Sequence, residues 1–196
     1  MINLMQSHPV KRQSEKKEPF SHPLPPEHVV TIYLNNKLLT SLMATPFQVK
    51  ELVIGFLYSE NIINTPAELT RITLNQDKRK SQVWVESNTK EIDQKARIMT
   101  SGCGRGFTFL CPSDTDGMEP LNSVIRINIA GMTVLAKKMI ATATLYNQSG
   151  GIHSAALCDP KEIISFSEDI GRHNAVDKVV GDSLLRTIDL AGKIML

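Results

Sequence analysis

The sequence predicts an α/β protein, with a small α+β unit ahead of a layered α/β domain. Two β-prone runs flank Asn35-Asn36 and lead into a long amphipathic stretch, which reads as a hairpin followed by a helix. From about residue 132 onward, helix-like and strand-like segments alternate, as they do in layered α/β domains. A chain of 196 residues, 41% of them hydrophobic, is long enough to bury such a core in one domain or two small ones. The expected organisation is an unstructured arm over residues 1–27, an α+β unit over 28–110, and an α/β domain over 121–196 that stops on an apolar run, "KIML", as if cut short.

The arm combines a charged run (Lys11, Arg12, Glu15, Lys16, Lys17, Glu18) with four prolines, a composition that cannot bury enough apolar surface to order itself. In "VVTIYLNNKLLTSLMAT", asparagine tolerates the positive φ of a tight hairpin turn. "TPFQVKELVIGFLYSENII" reads as a helix with Thr45 as cap, Pro46 at its first position and Gln48 completing a T-x-x-Q box. Strands are expected near residues 71–74 and 82–86, where Val83 and Val85 alternate with Trp84, and a short one at 96–99 before a glycine-rich loop. The polar segment "CPSDTDGMEPLNS" reads as a linker. A single helix is expected from 132 to about 148, ended by Gly150-Gly151. Two strands, "IHSAALCD" and "EIISFSED", turn at Asp159-Pro160-Lys161, and a last helix, "GRHNAVDKVVGDSLLR", carries a buried stripe of Val176, Val179, Val180 and Leu184. "IDLAGKIML" begins a further strand.

A formal net charge of +2 argues against a dedicated nucleic-acid binder. No apolar run is long enough to span a bilayer, and the polar N-terminus has no signal-peptide pattern, so the expected compartment is the cytoplasm. Three widely spaced cysteines make no disulfide framework.

Cys103 sits in "SGCGRGF", between glycines. A zinc site needs three more donors, but the C-x-x-C partner position is Gly106 and Cys111 lies eight residues on. A core cysteine belongs in an apolar segment, as Cys158 does in "AALCD". For a nucleophile the setting fits. Gly102, Gly104 and Gly106 let the backbone turn and leave sulfur accessible, while loop N–H groups and Arg105 stabilise the reactive thiolate. The nucleophile and a plain structural loop remain open on these residues alone. Cys111 reads as an incidental loop residue, with a resolving role as the rival.

In "SGGIHSAALCD", His153 follows the double glycine ending at Gly151, which suits close approach of a ligand or of another backbone, with a surface or hydrogen-bonded core histidine as the rival reading. "SEDIGRHNAVDKVVG" crowds Glu168, Asp169, Arg172, His173, Asn174, Asp177 and Lys178 around one helix start. Capping by Asp169 or Asn174 and a solvated Asp177-Lys178 face account for about half of them. Cations at a helix N-terminus oppose the macrodipole, so Arg172-His173 suits an anion such as a phosphate.

Taken in order, "ELVIGFLYSENII", "TSGCGRGF", "SGGIHSAAL" and "EDIGRHNAVDKVVG" resemble the FdhD/NarQ family of formate dehydrogenase accessory sulfurtransferases, from about residue 28 to the end. The resemblance implies a three-layer α/β/α sandwich like the cytidine deaminase fold. It implies a sulfur carrier in which Cys103 takes sulfur from a cysteine desulfurase as a persulfide and passes it to a molybdenum (or tungsten) bis-guanine-dinucleotide cofactor for formate dehydrogenase. Gly151, His153, Glu168, Arg172, His173, Asp177 and Lys178 would then contact the cofactor, with Gly102, Gly104 and Arg105 supporting the thiolate and no structural metal. The family loop has a second cysteine where this chain has Gly106. A relay at that position is therefore excluded. The family is also longer at its C-terminus, in keeping with the strand broken off at "KIML". A non-catalytic chaperone for the cofactor is the alternative. A deaminase-type zinc hydrolase is a third class, disfavoured because H-x-E reads His153-Ser154-Ala155 and C-x-x-C is missing. The sequence leaves open whether the chain works as a monomer or a homodimer.

Overall fold

A computed structural model describes residues 6–10, 20–77, 80–88 and 123–196. Within the segment expected as an arm, β1 (Gln6–Val10) and β2 (Phe20–Leu24) pair antiparallel, His8 opposite His22. Each strand of such a two-stranded ribbon is an edge, where Pro9 and Pro23 are tolerated. The expected strand at 96–99, the glycine-rich loop with Gly102, Cys103, Gly104, Arg105 and Gly106, and Cys111 lie outside the described residues.

β3 (His28–Leu34) and β4 (Lys37–Ala44) form the expected hairpin. Asn35 and Asn36 both have positive φ, 47° and 64°, as a two-residue primed turn demands. The Asn35 amide also exchanges hydrogen bonds with the Ser87 backbone at 2.9 and 3.1 Å, tying the hairpin tip to a segment 52 residues on. β5 (Leu69–Gln76) and β6 (Lys80–Ser87) form a second hairpin, and β6 runs parallel to β3, giving a sheet of order β4-β3-β6-β5. Alternation turns Val30, Ile32, Leu34, Leu42, Val83 and Val85 to one face, where α1 (Val49–Ser59) covers them with Leu52, Val53, Phe56 and Leu57. Each such side chain contributes about 1.5–3 kcal/mol when fully buried.

α1 begins later than the sequence predicts. Thr45 does not cap it. The N-cap is Gln48, in the left-handed region at φ 50°. The physical reason is that Thr45 is engaged elsewhere: its hydroxyl accepts from the Ile170 N–H and its own N–H donates to Asp169, both far along the chain.

The second sheet has the order β8-β7-β9, from β7 (His153–Cys158), β8 (Ile163–Asp169) and the short β9 (Ile194–Met195). Asp159 makes the expected turn by accepting from the N–H groups of Lys161 and Glu162 at 2.7 and 2.9 Å. Period-two alternation splits β7 between two cores. Ala155 and Leu157 pack on Ala175 and Val179 of α4 (Arg172–Leu185), whereas Ala156 and Cys158 pack on Leu135 of α2 (Ile129–Thr142). Mixed sheets and helices give the α/β class that the sequence predicts.

The single helix expected over 132–148 is two. α2 starts under an Asn128 cap, whose Oδ1 accepts from the Gly131 N–H at 2.7 Å, and stops at Ala143, where ψ is 79°. α3 (Thr144–Ser149) restarts because Glu168 accepts from the N–H groups of Leu145 and Tyr146, taking donors a continuous helix would use internally. Gly150, at φ 64°, ends α3 as expected.

α1 and α4 pack against each other between the two sheets. Their backbones meet at two glycines: a Cβ on Gly55 would overlap the Asp177 carbonyl, and one on Gly181 would overlap the Glu51 carbonyl. With sheet on one side and α1 on the other, α4 buries more than the predicted stripe. Val179 and Val180 are inside, but so are Asn174, Asp177, Lys178 and Ser183.

Candidate functional site

The corner between β8 and α4 is built on Asp169, whose side chain is fully buried. A buried carboxylate needs hydrogen-bond donors on both oxygens, and here they are supplied. Oδ1 accepts from the Gly171 N–H at 2.8 Å and from Asn174 Nδ2 at 2.9 Å. Oδ2 accepts from the Thr45 N–H at 2.9 Å and from Lys178 Nζ at 2.7 Å. Lys178, equally buried, also donates to the Thr45 carbonyl at 3.2 Å and lies 4.0 Å from the centroid of the Phe47 ring. Burial pushes the Lys178 ammonium below its ordinary range, while the Asp169 carboxylate and, at longer reach, Glu51 pull it back up. Asn174 Nδ2 reaches the Met43 carbonyl as well, at 2.7 Å. One buried ion pair thus fixes three things together: the entry to α1, the end of β8 and the head of α4.

The structure sorts the residues singled out in the sequence. Glu168, Asp177 and Lys178 are buried and bonded within the protein. Glu168 holds the start of α3 at 2.7 and 3.0 Å, and Asp177 accepts from the Ser59 hydroxyl at 2.9 Å across the α1–α4 contact. Gly151, His153, Arg172 and His173 are exposed. His153 opens β7 and pairs with Asp169, the last residue of β8; Arg172 opens α4 three residues later. These exposed groups therefore share one end of the sheet. Gly171, the N-cap of α4, has no side chain to cap the first turn, and Arg172 and His173 are exposed at that helix end.

Sequence reasoning treated Thr45, Asp169 and Asn174 only as caps. The usable signal was a helix whose inward spacing, Asn174, Asp177, Lys178 and Gly181, is polar or small where a core stripe should be apolar. Polar residues on a buried face require partners elsewhere in the chain. Among the described residues no helix is long and apolar enough to cross a membrane.

Comparison with known proteins agrees with this architecture. Residues 25–196 match the FdhD/NarQ family. The chain is 35% identical over 173 residues to the sulfur carrier protein FdhD of Bacillus subtilis, covering 86% of this chain and 65% of that one. It is 34% identical over 160 residues to the sulfur carrier protein FdhD of Sulfolobus acidocaldarius, covering 79% and 59%. The chain thus spans somewhat less than two thirds of these curated relatives. A crystal structure from Desulfotalea psychrophila, assigned as a formate dehydrogenase accessory protein, superposes with a TM-score of 0.73 at 21% identity, covering 100% of this chain and 73% of that chain. That likeness shows the shared fold. On the extent of the family match and the identity to its members, this chain belongs to the FdhD/NarQ family.

Proposed function

We propose that this chain is a cytoplasmic sulfur carrier that serves formate dehydrogenase, with Cys103 as the carrying residue. The observation that carries the proposal is the cysteine between glycines, "SGCGRGF", in a chain that belongs to the FdhD/NarQ family and resembles relatives named sulfur carriers. In the proposed first step the Cys103 thiolate attacks the terminal sulfur of a persulfide on a cysteine desulfurase. The donor's S–S bond breaks, its cysteine leaves as a thiolate, and Cys103 becomes the persulfide. Arg105 steadies the anionic sulfur. In the second step the terminal sulfur passes to the substrate, a molybdenum (or tungsten) bis-guanine-dinucleotide cofactor, which supplies the electron pair of the new bond while the Cys103 S–S bond breaks and Cys103 leaves as the thiolate.

The exposed group of Gly151, His153, Arg172 and His173 would meet the anionic phosphates of that substrate at the head of α4. Glu168, Asp177 and Lys178 would act from beneath, by holding the helix ends in place. We read the β8-β7-β9 sheet, with α4 on one face of β7 and α2 on the other, as the counterpart of the deaminase-like sandwich. The test is cyanolysis after incubation with a cysteine desulfurase and free cysteine. Wild-type chain is expected to release thiocyanate and Cys103→Ala to release none. Equal release from both would overturn the assignment.

A further inference from the structure

The ribbon of β1 and β2 is a sheet of its own, joined to neither larger sheet, with β2 lying beside α3. It precedes residues 25–196, the stretch that matches the family. A two-stranded ribbon standing alone is marginally stable at best in water. Of its five registered pairs, only Val10 with Phe20 joins apolar residues on both strands.

The tripeptide Ser-His-Pro occurs twice in the chain, at 7–9 and 21–23. The antiparallel register lays one copy on the other in reverse: Ser7 is opposite Pro23, His8 opposite His22, and Pro9 opposite Ser21. The two histidines therefore stand at the centre of a local two-fold arrangement, on one face of the ribbon. Residues directly opposite each other have Cβ atoms about 4.5–5.5 Å apart. One ion with a metal–nitrogen distance of about 2.0–2.1 Å can take an imidazole from each side of such a pair. Pro9 and Pro23 offer no N–H to a further strand, which keeps the ribbon two-stranded at this point.

Without an ion, the pair weakens the ribbon whenever both imidazoles are protonated, because like charges then stand opposite each other. With an ion, the same register becomes a cross-link between strands otherwise joined through residues 11–19. Imidazole suits zinc, copper and nickel. Among the described residues no three metal-ligating side chains cluster, so two protein donors and water make up the coordination sphere.

We propose that His8 and His22 together form a site for a divalent transition-metal ion of the nickel, copper and zinc class, and that the bound ion staples β1 to β2. The site rests on the ribbon register and not on the chemistry of Cys103.

The test is calorimetric titration of the full chain with nickel(II) chloride near neutral pH. One saturable site per chain is expected. His8→Gln and His22→Gln should each weaken it at least about 10-fold, since either change forfeits the gain from joining two donors. Cys103→Ala and His173→Gln should bind as the wild type does, so that loss of sulfur carriage and loss of metal binding are read separately. Lowering the pH from about 7.5 to about 5.5 should weaken wild-type binding about 100-fold, a factor of about 10 for each imidazole that must shed a proton. Saturating nickel should also slow amide hydrogen exchange over residues 6–10 and 20–24 in the wild type and not in His22→Gln. Absence of a saturable site, affinity unchanged in either histidine variant, loss of the site in Cys103→Ala or His173→Gln, or exchange over the ribbon unaltered by nickel would each overturn the proposal.

Discussion

Asp169→Ala is expected to be among the most damaging single changes in the described part of this chain. The substitution strips four donors of their acceptor at once: the Gly171 and Thr45 N–H groups, Asn174 Nδ2 and Lys178 Nζ. Lys178 has no exposed side-chain surface, so its charge is left in the interior with backbone carbonyls for company. Breaking a buried pair from one side costs about 3–5 kcal/mol. Lys178→Met is expected to cost less, about 2 kcal/mol, because three N–H donors still hold the Asp169 carboxylate and methionine fills the space under Phe47. The double variant Asp169→Ala with Lys178→Met should be less destabilised than the sum of its singles by at least about 1 kcal/mol, as befits groups in direct contact. Urea denaturation followed by circular dichroism measures all three. With a slope of about 2 kcal/mol/M, Asp169→Ala should lower the midpoint by roughly 2 M. A cost below about 1 kcal/mol for Asp169→Ala, or additive singles, would show that the pair does not join the two halves as described.

Two further outcomes follow from the packing and from burial. Gly181→Ala forces a Cβ into the Glu51 carbonyl, so α1 and α4 must separate; a loss of about 3 kcal/mol is expected in the same denaturation assay, and a neutral result would contradict the close crossing. His28 is buried with its Nε2 2.8 Å from Ser81 Oγ, and burial holds its imidazole below the ordinary 6.5, opposed by Asp77 and the Lys80 backbone. The unfolded chain then binds the proton more readily than the folded one, so stability present above pH 6.5 is lost as pH falls through the lower, folded value. His28→Gln should flatten that acid-side decline in a pH series of melting temperatures, and an unchanged slope would remove His28 as its source.

How much of this was legible follows from which forces are local. The Asn35-Asn36 hairpin, the Asp159 turn and the Gly150 helix end were readable because backbone conformation and nearby N–H groups decide them. The false start of α1 at Thr45 and the unbroken helix over 132–148 failed for one shared reason. In each case a residue about 20 to 125 positions away, Glu168 or the Asp169–Ile170 pair, captures the groups that local capping would have used. Of the candidate site, the segment "EDIGRHNAVDK" was found from its excess of charge at a helix start. Which of its members face inward was not readable, because that depends on α1 covering a second side of α4, as the glycines at 55 and 181 permit. Gln48 was read as the last position of a T-x-x-Q box, and its left-handed backbone and its contact with Ser167, 119 residues on, were not readable from local sequence.

The central claim, sulfur carried on Cys103, is tested most directly by mass spectrometry of the chain after incubation with a cysteine desulfurase and free cysteine. The expected result is the mass of one added sulfur atom on the peptide containing Cys103, retained in Cys111→Ala and absent in Cys103→Ala. An added sulfur atom that persists in Cys103→Ala, or that maps to Cys111 or Cys158, would contradict it.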